Sequence, residues 1–296
     1  MNFRTDLAVE IRESFGESPI SGIVGTKETY GNVTVSKIRI TDEKGAASMG
    51  KPIGTYVTID VPSFTKDSDL FDGRIDIVAR EISSLIPKDG PVLVIGLGNS
   101  EITPDALGPK TASYIFATRH IQGEIAKSIG FNKLRAASVL APGVLGQTGI
   151  ETGEIVKSIA DSIAPSCAII IDALASRSLN RLGRTVQISD TGINPGSGVG
   201  NHRTAINSET VGIPVISIGV PTIVDAATLS ADIAAAAGMD DPERLYSRAA
   251  PIGSAMMVTP REIDLFIVRA ARLVAMGINC ALNPHIDTAD MYALVS

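Results

Sequence analysis

The stretch PVLVIGLGNSEITPDALGP at residues 91–109 determines the fold class that this sequence predicts. Its first half is apolar and rich in β-branched residues, which is typical of a strand buried on both faces of a sheet. The glycines after it favour a tight loop, and Pro109 suits the first turn of a helix, because its missing N–H loses no partner there. Asp105 therefore follows the carboxyl end of a core strand, where open α/β sheets place their functional sites.

A second apolar run, CAIIIDAL at residues 167–174, also leads into an aspartate, Asp172. Parallel strands end at the same edge of a sheet, so we expect Asp105 and Asp172 to face one crevice. Two carboxylates about 3 Å apart cannot both ionise near neutrality, and they share a proton. One can then accept a proton from water while its partner donates one to a carbonyl oxygen or a leaving amine. For either aspartate alone, the alternative is a helix N-cap.

The rest of the chain alternates strand and helix patterns, which predicts an α/β fold with a mostly parallel twisted sheet and helices on both faces. Residues 29–41 and 54–61 alternate apolar and polar side chains, indicating a β-ribbon at the edge of the sheet, with a loop over 44–51 between them. Residues 1–20 are predicted to form an amino-terminal arm and linker, and 21–296 a single domain. Further strands are predicted at 134–140, 186–189 and 215–220, and helices at 69–86, 111–121, 151–163, 221–237 and 259–277.

The composition narrows the function classes. The chain has 296 residues, a net charge of −6 and two cysteines, Cys167 and Cys280. The acidic balance argues against a nucleic-acid-binding face, and the cysteines suit packing in a reducing compartment. No run of about 18 apolar residues indicates a membrane span, and the polar first residues do not resemble a signal peptide, so we expect a cytoplasmic protein.

Six motifs are spread over nearly the whole chain. They are RTDLAVE at 4–10, GLGN at 96–99, TPDALGP at 103–109, IDALASRS at 171–178, SDTGINPGSGVGN at 189–201 and MMVTPREID at 256–264. Together they closely resemble the germination protease family of endospore-forming bacteria. Such dispersed motifs are far more specific than any single short pattern.

The resemblance implies an atypical aspartic protease with a core like that of hydrogenase-maturation proteases, and its two proposed catalytic aspartates fall on Asp105 and Asp172. It also implies an endopeptidase of the forespore or spore core that degrades small acid-soluble DNA-binding proteins at germination. Family members cut after an acidic residue that is followed by a hydrophobic residue and then alanine. They are made as inactive homotetrameric zymogens that remove their own amino-terminal arm.

The family's cleavage rule predicts a propeptide of about residues 1–6. Asp6-Leu7-Ala8 fits the rule, so we expect self-cleavage between Asp6 and Leu7. Phe3 stands where family substrates favour an acid, which leaves other sites open. Glu10-Ile11 offers the acidic and apolar pair but lacks the alanine.

Several polar residues are candidates for binding the substrate. A guanidinium group binds a carboxylate in bidentate fashion, so the arginines at 177, 181, 184 and 203 could pair with the acidic residue of a substrate. A long glycine-rich loop that ends at Asn201, His202 and Arg203 is of the kind that often lines a site. The candidates we retain are Asn99, Arg177, Asn201, His202 and Arg203.

We predict neither a metal nor another cofactor, although three alternatives stay open. The histidines are not spaced like metal ligands, either from one another or from the cysteines. A metal site formed by Asp105, Asp172 and His202 is nevertheless one alternative. The GLG tripeptide after a strand allows a nucleotide-binding loop, although Glu101 stands where its third glycine belongs. A catalytically silent spore protein on the same fold is the third alternative. The pepsin-like tripeptide at 190–192 lacks an all-β context, and no Gly-x-Ser-x-Gly motif indicates serine catalysis.

Overall fold

The computed structural model describes residues 5–16, 18–65, 72–121, 133–196, 203–238, 248 and 256–295. The strands are β1 (Ile23–Tyr30), β2 (Val33–Ile40), β3 (Gly54–Asp60), β4 (Val92–Gly96), β5 (Ala137–Leu140), β6 (Cys167–Ser176), β7 (Thr185–Ser189), β8 (Val215–Asp225) and β9 (Met257–Val258). The helices are α1 (Ala8–Ser14), α2 (Glu43–Met49), α3 (Arg74–Ser83), α4 (Leu107–Ser113), α5 (Leu145–Thr148), α6 (Thr152–Ile163), α7 (Ser208–Val211), α8 (Ala226–Ala236), α9 (Ile263–Leu282) and α10 (Thr288–Val295).

In this part of the chain, nine strands form one mixed sheet in the order β1-β2-β3-β7-β8-β6-β4-β5, with β9 paired to β8. The strands β5, β4, β6 and β8 run parallel, and the remaining pairs are antiparallel. The α/β prediction is confirmed, with parallel pairing limited to those four strands. The connection 177–184 between β6 and β7 is too short for a parallel crossover, so β7 runs antiparallel.

The alternation of side chains along β6 shows that helices cover both faces of the sheet. Cys167, Ile169 and Ile171 lie in an apolar cluster with residues of α3 and α9. Ala168 and Ile170 point the other way and lie in a second cluster with residues of α6 and α7. All five side chains are fully buried, which explains why this strand is a continuous apolar run.

The predicted β-ribbon at the sheet edge is present, but its connections differ from the prediction. Residues 29–41 are not one strand, because they contain the end of β1, the turn and β2 of an antiparallel hairpin, and β2 pairs with β3. Most of the segment predicted as a loop at 44–51 belongs to α2. The Asp42 carboxylate caps this helix by accepting a hydrogen bond from the Gly45 N–H at 2.8 Å, and Gly50 ends it in a left-handed conformation.

The amino-terminal segment is folded where an arm and linker were predicted. Leu7 and Ala8 are fully buried, and α1 packs on the sheet at β2 and β3. The Glu10 carboxylate accepts hydrogen bonds from the backbone N–H groups of Arg177 and Ser178, both at 2.8 Å. Residues 7–14 are therefore tied to a part of the chain more than a hundred residues away.

The longest helix, α9, is a core helix. It begins at Ile263, later than the predicted start at residue 259, and the Thr259 hydroxyl donates to the Thr222 carbonyl at 3.0 Å. Among the described helices, α9 is the one long and apolar enough to cross a membrane, but 78% of its apolar window is buried inside the protein. Packing against α3 and α4 accounts for its composition.

The loop after β4 packs so closely on α4 that Gly108 has no room for a side chain. A Cβ there would lie 2.1 Å from the Leu97 carbonyl oxygen and 2.7 Å from that of Ile171. We expect Gly108→Ala to lower the free energy of unfolding by about 1–3 kcal/mol, as in overpacked cores. Gly146→Ala is the matched control, because nothing lies within 4 Å of its Cβ. Denaturant unfolding measures both, and equal stabilities would show that the loop has room.

Candidate active site

The structure brings Asp105 and Asp172 together in one cavity of about 360 Å³. Asp105 comes from the one-turn 3-10 helix Thr103–Asp105, which lies between β4 and α4. Asp172 comes from β6, the parallel neighbour of β4. The cavity also contains Leu97 and Gly98, the first residues after β4, so it lies at the carboxyl end of that strand.

Neither aspartate caps a helix, so that alternative is wrong for both. Asp172 lies within β6, which continues to Ser176, and the Asp172 Oδ1 accepts a hydrogen bond from the N–H of Ala173 at 2.9 Å. The Asp105 Oδ2 accepts from the Asn99 N–H at 2.7 Å. The second bond closes the loop after β4 onto Asp105 and fixes the position of its carboxyl group.

The two carboxyl groups differ in their surroundings. Asp172 is 7% exposed, and burial raises its pKa well above the ordinary 3.8, with further contributions from the charges of Asp105 and Asp6. Asp105 is half-buried; burial raises its pKa, while the Asn99 N–H and the Arg203 charge lower it. This difference favours the proton on Asp172 and the negative charge on Asp105.

Arg203 and Thr222 are two of the other polar residues that line the cavity. Arg203 is a predicted candidate, and its positive charge lowers the pKa of both aspartates. Thr222 was not predicted. It is the extra residue at a bulge between β6 and β8, where Leu174 pairs with Pro221 and Ala175 pairs with Ile223. A proline inside an apolar strand is the sequence signal that could have indicated this bulge.

Thr222 lies in the wall of the cavity. It is fully buried, and its hydroxyl has no hydrogen-bond partner among the described residues. A buried hydroxyl of this kind is a place where an ordered water is normally found.

The amino-terminal segment enters the same cavity at Asp6. The Asp6 N–H donates to the Ala175 carbonyl at 2.9 Å, and the Asp6 Oδ2 accepts from the Ala175 N–H at 2.9 Å. Asp6 also lines an adjoining cavity of about 110 Å³ together with Lys51 and Gln187. The predicted cleavage bond between Asp6 and Leu7 is therefore in a chain segment that lies beside the two carboxyl groups.

The other predicted binding residues lie elsewhere or outside the described chain. Asn99 supports Asp105 through its backbone, and its side-chain oxygen accepts from Gln147 at 2.9 Å. Arg177 does not line the cavity among the described residues, and its charge acts on Asp232. Arg181 is held by Asp60 and Glu13. Asn201 and His202 fall outside the described residues.

The glycine that ends β4 and the one two residues later allow the loop to pack closely. A Cβ on Gly96 would lie 2.1 Å from the Gly108 carbonyl oxygen, and one on Gly98 would lie 2.0 Å from that of Asp105. The positions that would approach a phosphate in a nucleotide-binding loop are thus taken by the chain itself, which argues against the nucleotide alternative. Among the described residues, no group of three or more His, Cys, Asp or Glu side chains is arranged to hold a metal.

Comparison with known proteins assigns the family. The sequence profile described as germination protease matches residues 5–236 and 240–294. The chain belongs to the germination protease family. It is similar to the germination protease of Clostridium perfringens strain ATCC 13124, with 44% identity over 98% of each chain. It is also similar to that of Caldanaerobacter subterraneus, with 42% identity over 100% of this chain and 98% of the relative.

Family membership makes the chain a spore-germination protease, so this part of the prediction is confirmed. Among solved structures, the crystal structure of a NiFe hydrogenase maturation protease from Thermococcus kodakarensis matches with a TM-score of 0.36 and 16% identity. That match covers 67% of this chain and 98% of the other.

Proposed function

We propose that this germination protease is an aspartic-type endopeptidase that begins the degradation of small acid-soluble DNA-binding spore proteins in the spore core. The observation that carries the proposal is the shared cavity, which is lined by Asp105, Asp172 and the acidic residue of the predicted cleavage site, Asp6. In the proposal the chain is made as a homotetrameric zymogen that removes residues 1–6. These features follow the family resemblance.

The proposed mechanism uses the carboxyl pair without a covalent intermediate. Ionised Asp105 accepts a proton from water as the water oxygen bonds to the Asp6 carbonyl carbon, and the carbonyl electron pair moves to its oxygen. Protonated Asp172 then donates its proton to the Leu7 nitrogen as the carbon–nitrogen bond breaks and the carbonyl re-forms. The new Asp6 carboxylic acid returns a proton to Asp172, and Asp105 gives its proton to the new amine. Both carboxyl groups thus regain their starting states.

The surroundings of residues 6–8 support cleavage after an acidic residue. The Asp6 carboxylate accepts a hydrogen bond from the Ala175 N–H. Lys51 lines the adjoining cavity with Asp6; burial lowers the pKa of Lys51, and the Asp6 charge raises it. Leu7 lies in an apolar cluster, and Ala8 is fully enclosed. The acidic Asp6, the apolar Leu7 and the small Ala8 thus each lie in surroundings that suit their type of side chain.

The same contacts favour Asp6 over Glu10 as the self-cleavage site. Glu10 lines neither of the two cavities that contain Asp6, and its carboxylate is held by the N–H groups of Arg177 and Ser178. A zymogen with Asp6 in the cavity also explains its own inactivity, because the segment to be removed occupies the place that a substrate needs.

Self-cleavage of the purified full chain tests the proposal. We expect a product that begins at Leu7, formed more slowly as pH rises through the raised pKa of Asp172, because the donating proton is lost. Lys51→Met should slow cleavage at least about tenfold, since a charged partner of the acid is removed. Lys157→Met is the matched control, because Lys157 is exposed and pairs with Asp161.

Mass spectrometry at several pH values gives both the product and the rate. A product with a different first residue, or an equal rate at every pH, would contradict the proposal. If the Lys51→Met chain cleaves itself as fast as the Lys157→Met chain, Lys51 does not take part in recognising the acidic residue.

A further inference from the structure

The side-chain amide of Gln187 spans the bond between Asp6 and Leu7. Its Nε2 donates a hydrogen bond to the Asp6 carbonyl oxygen at 3.1 Å, and its Oε1 accepts one from the Ala8 N–H at 2.8 Å. Gln187 lies on β7 and is 8% exposed. A buried side chain therefore holds the peptide on both sides of one bond.

We propose that Gln187 is a catalytic residue that binds the carbonyl oxygen of the bond to be cut and stabilises the negative charge that forms on it. The inference rests on the proposed function, in which the bond after Asp6 is cleaved. In the mechanism above, the oxygen that gains the electron pair when water attacks is the one that already accepts from the Gln187 Nε2. A donor fixed at that atom lowers the barrier, because the charge develops only in the transition state.

The hydrogen bonds also fix which end of the amide faces the carbonyl. If the amide were rotated by half a turn, its Nε2 would face the Ala8 N–H, donor to donor, and its Oε1 would face the Asp6 carbonyl, acceptor to acceptor. The Ala8 N–H thus keeps the donor pointed at the reacting oxygen. This orientation therefore requires that the second residue after the cleaved bond, here Ala8, has a backbone N–H to donate.

The position of Gln187 complements that of the carboxyl pair. Gln187 lines the smaller cavity and Asp105 and Asp172 line the larger one, while Asp6 lines both. The Asp6 residue is thus approached by the acid and base from one cavity and by the amide donor from the other. Attack of water on a carbonyl group needs this arrangement, because the water must reach the carbon while a separate donor binds the oxygen.

Kinetics on a peptide with the sequence of residues 3–12 test the inference, which requires that residues 7 and 8 of the enzyme leave Gln187 after self-cleavage so that the same residues of the peptide bind there. Each processed enzyme is assayed for kcat and KM, and a variant that does not process itself is first treated with tagged wild-type enzyme, which is then removed. At a pH where the new glutamate is ionised, Gln187→Glu keeps the acceptor for the Ala8 N–H but lacks the donor, so kcat should fall at least about 100-fold, more than KM changes. Gln187→Met removes both groups, so kcat should fall as far and KM should rise.

Thr58→Val is the matched control for damage to the sheet. Thr58 pairs with Gln187 across β3 and β7, and its buried hydroxyl has no hydrogen-bond partner in the described part of the chain. We expect its kcat to equal that of the wild type. If Gln187→Glu or Gln187→Met does not fold, Gln187→Asn, which keeps the amide but shortens its reach, takes its place.

The inference is overturned if Gln187→Glu keeps kcat within about tenfold of the wild type, if the change is confined to KM, or if Thr58→Val loses as much kcat. Failure of the proposed function gives a different result. In that case the wild-type enzyme leaves the peptide intact, or Asp172→Asn cleaves it at the wild-type rate.

Discussion

Replacing Asp172 by asparagine is expected to lower kcat by about 10³-fold and, at the same time, to make the fold more stable near neutral pH. Asparagine has nearly the same shape but has no carboxyl proton to give the leaving amine, and general acid catalysis is commonly worth 10²- to 10⁴-fold. Peptide hydrolysis at saturating substrate measures the loss.

The stability gain follows from the raised pKa of the buried Asp172 carboxyl. The folded state binds its proton more tightly than the unfolded state does. Asp172 therefore stabilises the fold fully at low pH, and this contribution is lost as pH rises from about 3.8 towards the folded pKa, by up to about 1.4 kcal/mol per pH unit. The asparagine variant has no such loss, so its advantage should grow with pH over that range.

Thermal unfolding at several pH values checks the second part of this prediction. Asp232→Asn is the matched control, because burial also raises the pKa of Asp232, yet this residue lies on α8 and does not line the cavity. The control should keep full activity. An Asp172→Asn enzyme with wild-type kcat would contradict the proposed role of Asp172 as the acid. A difference in stability between this variant and the wild type that does not change with pH would contradict tighter proton binding by Asp172 in the folded state.

Asp105→Asn is the second substitution for which we expect a loss of about 10³-fold in kcat, because an amide cannot accept the proton of the attacking water. The acid and the base act on the same reaction, so their effects should not add. The double variant Asp105→Asn, Asp172→Asn should be about as inactive as the more damaged single variant. The pKa of Asp172 should also fall in Asp105→Asn, since the Asp105 charge raises it.

Single-turnover assays with the three variants and the wild type measure these effects. Multiplied losses in the double variant would mean that the two carboxyl groups act independently and not as a pair. Full activity in Asp105→Asn would show that Asp105 is not the base that accepts the proton of the attacking water.

The parallel centre of the fold and the meeting of the two aspartates were predictable from sequence. β4 and β6 are buried on both faces, so their apolar runs are uninterrupted and point to adjacent central strands. Strand direction then places their carboxyl ends together. The extents of the elements were less predictable: β6 continues beyond Asp172 because Ala173 to Ser176 keep pairing with β8.

The amino-terminal segment could not be predicted because its structure depends on distant contacts. Local sequence offers α1 little support, and its N-cap Leu7 makes no side-chain cap. Leu7 is instead buried among β-sheet residues, and Glu10 is bound by the backbone at 177 and 178. Such tertiary contacts override local propensity.

The sequence around Lys51 and Gln187 gives no indication of the roles proposed for them. Lys51 is the last residue of the segment predicted to be a loop, and Gln187 occupies one polar position in a short strand. Only the folded chain brings them to Asp6, which is more than 40 residues from Lys51 and 181 residues from Gln187. The arginines that sequence reasoning favoured for acid recognition at 177 and 181 are engaged elsewhere.

The shared proton of the carboxyl pair is tested most directly by carbon-13 NMR titration of the Asp105 and Asp172 carboxyl groups in the wild type and in Asp105→Asn. We predict that Asp172 titrates well above its ordinary value of 3.8 in the wild type and that its pKa falls when Asp105 is replaced. An Asp172 carboxyl that titrates near 3.8, or whose pKa is unchanged by Asp105→Asn, would contradict a coupled acid and base in this cavity.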